Sequence, residues 1–207
     1  MSSQSFKLYY FPLRNLAEAA RQIFALAGVE YEDIRVTPEE WPTYKKDMPF
    51  GQMPVLEDNG YKIPQSLACT RYLARRFGYS GKNPLEAATV DALAELYKDF
   101  YSAASGFFYT KVGIKKLDLT EEEPKMLAAR DNFLAIVTTF LKKSQSGFLV
   151  DGGLTYADLF IVDSLTTYLA WIPDFLEQYP EVAAYREKVI NVPALKEHLK
   201  KRPVTDI

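Results

Sequence analysis

The strand-like runs of this chain gather before residue 64 and largely vanish beyond Pro84, where helical periodicity takes over. A chain divided in this way folds as a small mixed unit followed by a helical one. Ahead of the switch, Lys7-Leu8-Tyr9-Tyr10-Phe11 is rich in β-formers and reads as a strand, which Pro12 stops. Leu16, Ala19, Ala20, Ile23, Phe24 and Ala27 fall on one helical stripe, with Gly28 in the C-cap position. Residues 31–36 alternate as a second strand, and residues 38–48 form a polar, short helical stretch around Trp41. Residues 54–57 and 61–63 flank Asp58-Asn59-Gly60, a tight-hairpin signal because Asn and Gly both tolerate positive φ. Residues 65–77 read as a helix ended by Gly78. The order βαβ then ββα predicts a small mixed sheet with helices on its faces.

Residues 80–84 are turn-rich and predict a linker between a first domain at 1–79 and an all-α domain at 85–207. Residues 85 to about 111 carry one long helical pattern. Thr120-Glu121-Glu122-Glu123 predicts a capping box opening a helix to about Lys143, with Pro124 in its first turn. Thr155-Tyr156-Ala157-Asp158 is a second such box, and the helix after it is apolar enough to be central and buried. Pro180 and Pro193 mark the starts of two final helices.

The net charge of −2 implies no attraction to nucleic acid or to an anionic membrane, and the short basic clusters read as solvated faces. A single cysteine, Cys69, excludes an intrachain disulfide and fits a reducing compartment. The first five residues lack the pattern of a secretory signal, and no apolar run is long enough to span a bilayer. The simplest expectation is a cytoplasmic protein.

Three places could carry chemistry. In Gln52-Met53-Pro54-Val55-Leu56 a proline opens a strand, and an X-Pro bond there can be cis. Met53 would then offer its backbone edge to an extended peptide; an ordinary proline at a strand start is an equal reading. Gln65-Ser66 lies at a helix start, where Ser66 can cap and free N–H groups favour a carboxylate, although a cap without a ligand is commoner. Tyr10 ends the first strand, where a phenol can donate to an anion; among 14 tyrosines, a core role is the default.

Taken together, these segments resemble the cytosolic glutathione transferases, most closely the sigma class and its invertebrate, nematode-like members. The resemblance runs through residues 7–18, Trp41-Pro42, residues 49–57, Gln65-Ser66-Leu67-Ala68, Arg71-Tyr72-Leu73, residues 154–158 and Arg202-Pro203. It implies a thioredoxin-like domain joined to a helical domain, usually in a homodimer. It implies that glutathione is the co-substrate; prostaglandin-isomerising relatives carry several acids near Asp99, but here Lys98 stands among Glu95 and Asp99 and weakens any divalent-metal site, so no metal is expected. It assigns Met53-Pro54 as a cis peptide pairing with the cysteinyl part of glutathione, and Gln65 and Ser66 to the γ-glutamyl carboxylate. Trp41, Lys45 and Gln52 would hold the glycyl end, and Asp99 would reach the γ-glutamyl ammonium of the partner subunit's glutathione. Tyr10 would be the catalytic tyrosine, with Tyr9 its rival and Arg14 helping nearby.

The expected activity is conjugation of glutathione to hydrophobic electrophiles, or reduction of a peroxide, in detoxification. The rival readings are a glutathione-dependent prostaglandin isomerase and a non-catalytic carrier of haem or other hydrophobic ligands. The acceptor pocket should lie between the domains, near Phe11, Leu13, Arg14, Phe107 and Phe108. Asn15 stands where the family often has glycine, and it could cap the helix there. Cys69 reads as a buried small hydrophobe, and His198 as a histidine without a partner cluster.

Overall fold

The computed structural model describes residues 5–207; the stretch read above for a secretory signal lies mostly outside the described residues. Four strands form one sheet in the order β2-β1-β3-β4, from β1 (Phe6–Tyr10), β2 (Glu32–Arg35), β3 (Val55–Asp58) and β4 (Tyr61–Pro64). β1 runs parallel to β2 and antiparallel to β3, and β3 and β4 form the hairpin turned at Asn59-Gly60. Strand alternation sorts β1 into two faces. Phe6, Leu8 and Tyr10 enter the main core, while Tyr9 joins Met48 and Val55 in a second cluster beside Trp41 and Tyr44. The first face is covered by α1 (Asn15–Ala27) and α3 (Ser66–Phe77), the second by α2 (Trp41–Lys45).

The remainder is helical: α4 (Pro84–Ala103), α5 (Ser105–Lys111), α6 (Leu119–Lys143), α7 (Tyr156–Trp171), α8 (Pro180–Ile190) and α9 (Pro193–Lys201). The expected architecture, a thioredoxin-like α/β unit followed by an all-α unit, is the one observed. α7 is buried along most of its length and packs against both α1 and α4, so it is the shared wall of the two halves. α9 returns to α1 and closes the boundary from the other side.

Three local expectations need correction. The single helix expected at 85 to about 111 breaks at Ala104, just before Ser105 and Gly106, two residues of weak helix propensity. α6 is capped by Asp118, which accepts from the Thr120 N–H at 2.9 Å and the Thr120 hydroxyl at 2.7 Å, so the helix starts a residue before Thr120 and Pro124 sits in its second turn. At α3 the N-cap is Gln65, and Ser66 is the first helical residue.

Candidate active site

The sheet register gathers the candidate residues at one end. Tyr9 pairs with Val55, and Val55 pairs with Pro64. One step further along the same rows stand Tyr10, Pro54 and Gln65, and beyond them Phe11, Met53 and Ser66. Residues far apart in the chain thus share one sheet edge, because two antiparallel pairings carry β1, β3 and β4 past one another. The Met53–Pro54 peptide is cis. Pro54 is buried, Met53 half-buried and Gln52 exposed.

Tyr9 and Tyr10 have opposite surroundings. The Tyr9 hydroxyl donates to Glu57 Oε2 at 3.1 Å, and burial together with that carboxylate pushes its phenol up to about 12. Tyr10 lies on the other face, 5 % exposed, with its ring 5.7 Å from Phe11. Burial raises the Tyr10 phenol above its ordinary value, against an opposing hydrogen bond from the Leu16 amide in the first turn of α1. The phenol is therefore neutral at physiological pH and is a donor. The amide behind its oxygen polarises the O–H toward whatever accepts from it.

At the start of α3, Gln65 holds φ +75, a left-handed value rare for a residue with a side chain. Backbone held in this region is a recurrent feature of ligand sites. The turn leaves the Ser66 amide as an orphan donor of the first turn. The Ser66 hydroxyl makes no hydrogen bond within the described residues; only the Ser66 carbonyl is engaged, accepting from Thr70 Oγ1 at 2.8 Å. The Gln65 amide reaches Gln52 Oε1 at 3.4 Å, so these two side chains already adjoin. Trp41 stands half-buried with its ring 5.8 Å from Phe11, and exposed Lys45 lies over Gly51. An aromatic row Tyr10–Phe11–Trp41 thus borders a polar rim of Lys45, Gln52, Gln65 and Ser66.

Arg14 and Asn15 have other commitments. The Arg14 guanidinium donates to Asp163 Oδ1 at 3.0 Å, to Thr167 Oγ1 at 3.2 Å and to the Asp206 carbonyl at 3.2 Å. Its polar atoms are engaged across the domain boundary, and the charge that bears on the Tyr10 phenol is that of Arg21. Asn15 is the first helical residue and does not cap α1. It sits at φ +37, which Asn tolerates as Gly does, and its Nδ2 donates to the Tyr101 hydroxyl at 3.3 Å. Asp99 is exposed on α4 and has no hydrogen bond or ion pair among the described residues.

A cavity of about 850 Å³ opens between the halves, reached from the edge through Leu13 and Arg14, which follow Phe11 in the chain. Of the five residues expected around it, Leu13 and Arg14 line it; Phe11 does not, its ring lying against Tyr10 and Trp41, and Phe107 and Phe108 are 2 % and 4 % exposed and belong to the core. Their places on the wall are taken by Lys111, Val112 and Trp171, and by the last residues of the chain from Val204 to Ile207. That terminal strap, like the Leu16 amide, was invisible to motif reading: it is brought here by Ile207 accepting from the Arg14 amide at 2.8 Å. His198 also proved to have partners, since it shares Glu18 with Arg202. Cys69 is buried, its thiol pushed up to about 12 by desolvation and donating to the Ile63 carbonyl, which leaves it inert. Among the described residues no group of three or more His, Cys, Asp or Glu is arranged to hold a metal ion, and no helix is long and apolar enough to cross a membrane.

Comparison with known proteins gives this geometry its family. Residues 4–75 match the glutathione S-transferase N-terminal domain, and residues 98–202 match the glutathione S-transferase C-terminal domain. Glutathione S-transferase 1 of Ascaris suum is 42% identical over 202 residues, covering 97% of this chain and 98% of the relative. Among solved structures, the monomeric glutathione S-transferase Na-GST-3 of the hookworm Necator americanus superimposes with a TM-score of 0.95 at 44% identity, covering 98% of this chain and 100% of its own. A Nu-class enzyme from Haemonchus contortus gives 0.92 at 44% identity, covering 99% and 100%. With both halves matched in order and such identity along nearly all its length, the chain belongs to the glutathione S-transferase family, enzymes whose co-substrate is glutathione.

Proposed function

We propose that Tyr10 activates the thiol of glutathione docked along the edge of Met53, Gln65 and Ser66, for attack on hydrophobic electrophiles held in the inter-domain cavity. The observation that carries this reading is the Tyr10 phenol itself, buried, neutral and backed by the Leu16 amide, one row from the edge that would hold the tripeptide. A free thiol titrates near ~8.5, and lowering it by about two units requires ~2.7 kcal/mol. One hydrogen bond to a charged group contributes ~1.5–3 kcal/mol, so a single phenol suffices. The thiolate sulfur then bonds to the electrophilic carbon as its leaving group departs, chloride in a chlorinated nitrobenzene, or attacks a peroxide oxygen, releasing the alcohol and leaving a sulfenic acid that a second glutathione converts to the disulfide and water.

In this reading Ser66 and Gln65 take the γ-glutamyl carboxylate, supported by the unengaged Ser66 donors. Trp41, Lys45 and Gln52 take the glycyl end. Arg14 acts by shaping the cavity wall and by anchoring the terminal strap, since its guanidinium is already engaged. The chain works as a cytoplasmic homodimer in detoxification, with Asp99 offered to the partner's glutathione; its exposure without a partner supports that role. Within the family we place it with the nematode branch of the sigma-like enzymes, on the Tyr10-Phe11 pair and residues 49–57; the Haemonchus contortus relative bears a Nu-class name.

The test is conjugation of a chlorinated nitrobenzene by Tyr10→Phe. Glutathione affinity stays unchanged and kcat falls by about tenfold to a hundredfold, the worth of one charge-assisted hydrogen bond. Conjugation at the normal rate would remove Tyr10 from the mechanism. Asp99→Asn raises the KM for glutathione if the protein sediments as a dimer; a monomer with unchanged KM ends the cross-subunit role.

A further inference from the structure

A second concavity of about 480 Å³ runs between β2 and α9 and meets the inter-domain cavity at Arg202 and Pro203, which line both. Its charged lining consists of Arg21, Arg35, Lys201 and Arg202 against the carboxylates of Asp33 and Glu197, with His198 beside them. Asp33 serves two arginines, accepting from Arg21 Nε at 3.1 Å and from Arg35 Nε at 2.8 Å. Glu197 is turned to Lys200 at 2.9 Å. Arg202 is held from behind by Glu18 and Asp163.

What remains is a set of donors with no protein acceptor. Arg21 is 1 % exposed; its Nη1 donates to the Leu13 carbonyl at 2.8 Å, but its Nη2 is buried with no hydrogen-bond partner among the described residues. Buried guanidinium nitrogens are almost always satisfied, so an orphan in a cationic concavity marks a missing acceptor. The two terminal nitrogens of Arg35 and the Lys201 ammonium make no hydrogen bond among the described residues.

We propose that this groove is a binding site for a tetrahedral phosphate oxyanion, free or as a monoester. The donors at the rim exceed what a carboxylate accepts: the two Arg35 nitrogens carry paired N–H groups and Lys201 carries three N–H, with the buried, unpartnered Arg21 Nη2 behind them. A phosphate with three strong acceptor oxygens and a charge near −2 matches them, and guanidinium forks favour it geometrically. The uncharged part of the lining, Tyr31 with Ala25, Ala194 and Pro203, leaves an apolar flank for an ester group. The site straddles both halves of the chain; it shares Arg202 and Pro203 with the inter-domain cavity but no residue with the row at Tyr10, and Arg35 and Lys201 line this groove alone.

Titration calorimetry of the full chain with inorganic phosphate, at constant ionic strength against chloride, is the direct measurement. Saturable binding is expected, weakened about tenfold or more in Arg35→Gln/Lys201→Gln, since each charge-assisted bond is worth roughly a factor of ten. That double variant is chosen because both changes lie at the rim, whereas Arg21→Met alters a buried group; glutathione conjugation by the double variant stays at the wild-type rate. Phenyl phosphate binding more tightly than phosphate identifies a monoester site, and equal binding identifies free phosphate. No saturable heat with phosphate, or equal affinity in wild type and double variant, overturns the proposal.

Discussion

At the scale of single residues, neighbours of identical chemistry are separated by the pleat of a strand. Tyr9 and Tyr10 differ by one position, yet one is bound to Glu57 on the α2 face and the other lies in the main core against the first turn of α1. Tyr9→Phe is therefore expected to leave conjugation within about twofold while lowering stability by about 1 kcal/mol, the net worth of one hydrogen bond. A joint measurement of kcat and the urea midpoint checks both, and a collapse in kcat would transfer the activating role to Tyr9. Asp158 makes the complementary case of a carboxylate that works for the fold alone. It accepts from the Thr155 amide at 2.7 Å, the Thr155 hydroxyl at 2.6 Å, the Leu149 amide at 3.2 Å and the Tyr185 hydroxyl at 2.9 Å, all in the interior. Asp158→Ala leaves these donors buried and unpaired at about 1–3 kcal/mol each, so a loss of at least ~3 kcal/mol is expected in equilibrium unfolding. A loss below ~1 kcal/mol would mean that water replaces the carboxylate, a substitution a closed interior resists. The local half of this network, Thr155 with Asp158, is readable as a capping box; Leu149 and Tyr185 are not, because loop and α8 reach Asp158 only through packing.

Among the elements, the periodic signals placed nearly every strand and helix, since amphipathic spacing and hairpin chemistry act within a few residues. The errors fall at helix ends, where one hydrogen bond decides. Thr120 carries the better-known box pattern, but Asp118 takes the cap because its carboxylate reaches the Thr120 amide while Glu121 and Glu122 favour the first turn through the helix dipole. Asp118→Ala is expected to lower the melting temperature, and Thr120→Ala to lower it by clearly less, since the amide-to-carboxylate bond survives the second change. Thermal unfolding of the two variants side by side checks the order, and the reverse order would return the cap to Thr120. The break between α4 and α5 has a reason beyond propensity. Gly106 leaves the space that the Glu122 carboxylate of α6 fills, a Cβ there standing 1.7 Å from Glu122 Oε2, so the start of α5 is packed under a side chain of α6. Such close approach depends on two helices distant in sequence, which is why the spacing read there as one continuous helix.

Across the whole molecule, the two halves are joined by a buried ionic network that no local pattern announces. Glu18 of α1 accepts from His198 at 2.9 Å and from Arg202 at 2.9 Å; Arg202 also reaches Asp163 of α7 at 3.0 Å, which is shared with Arg14. The candidate-site residues could be named through their motifs, but this scaffold behind them is assembled from singletons in or beside three helices, α1, α7 and α9. Burial opposes ionisation of Glu18, yet the hydrogen bond and charge of His198, then those of Arg202, prevail and hold its carboxyl at about 2, below the usual 4.5. For an acid depressed in the folded state, the stabilisation is fully present above the unfolded value and disappears as pH falls through 4.5 toward about 2. Asp163 acts in the opposite sense, because burial and the nearby Glu18 charge raise it. The acid unfolding curve of the wild type therefore mixes the two, and comparison with Glu18→Gln separates them. At pH 6 the variant leaves Arg202 and His198 facing a neutral amide, and a deficit on the order of 3 kcal/mol is expected for a broken buried pair. As the pH falls, the wild-type carboxyl takes up its own proton and becomes equivalent to the amide. Urea unfolding between pH 6 and pH 2.5 should show the gap between the two proteins holding down to about pH 4.5 and narrowing below it. A gap that keeps its size across that range would mean that Glu18 holds the halves together by shape and not by charge.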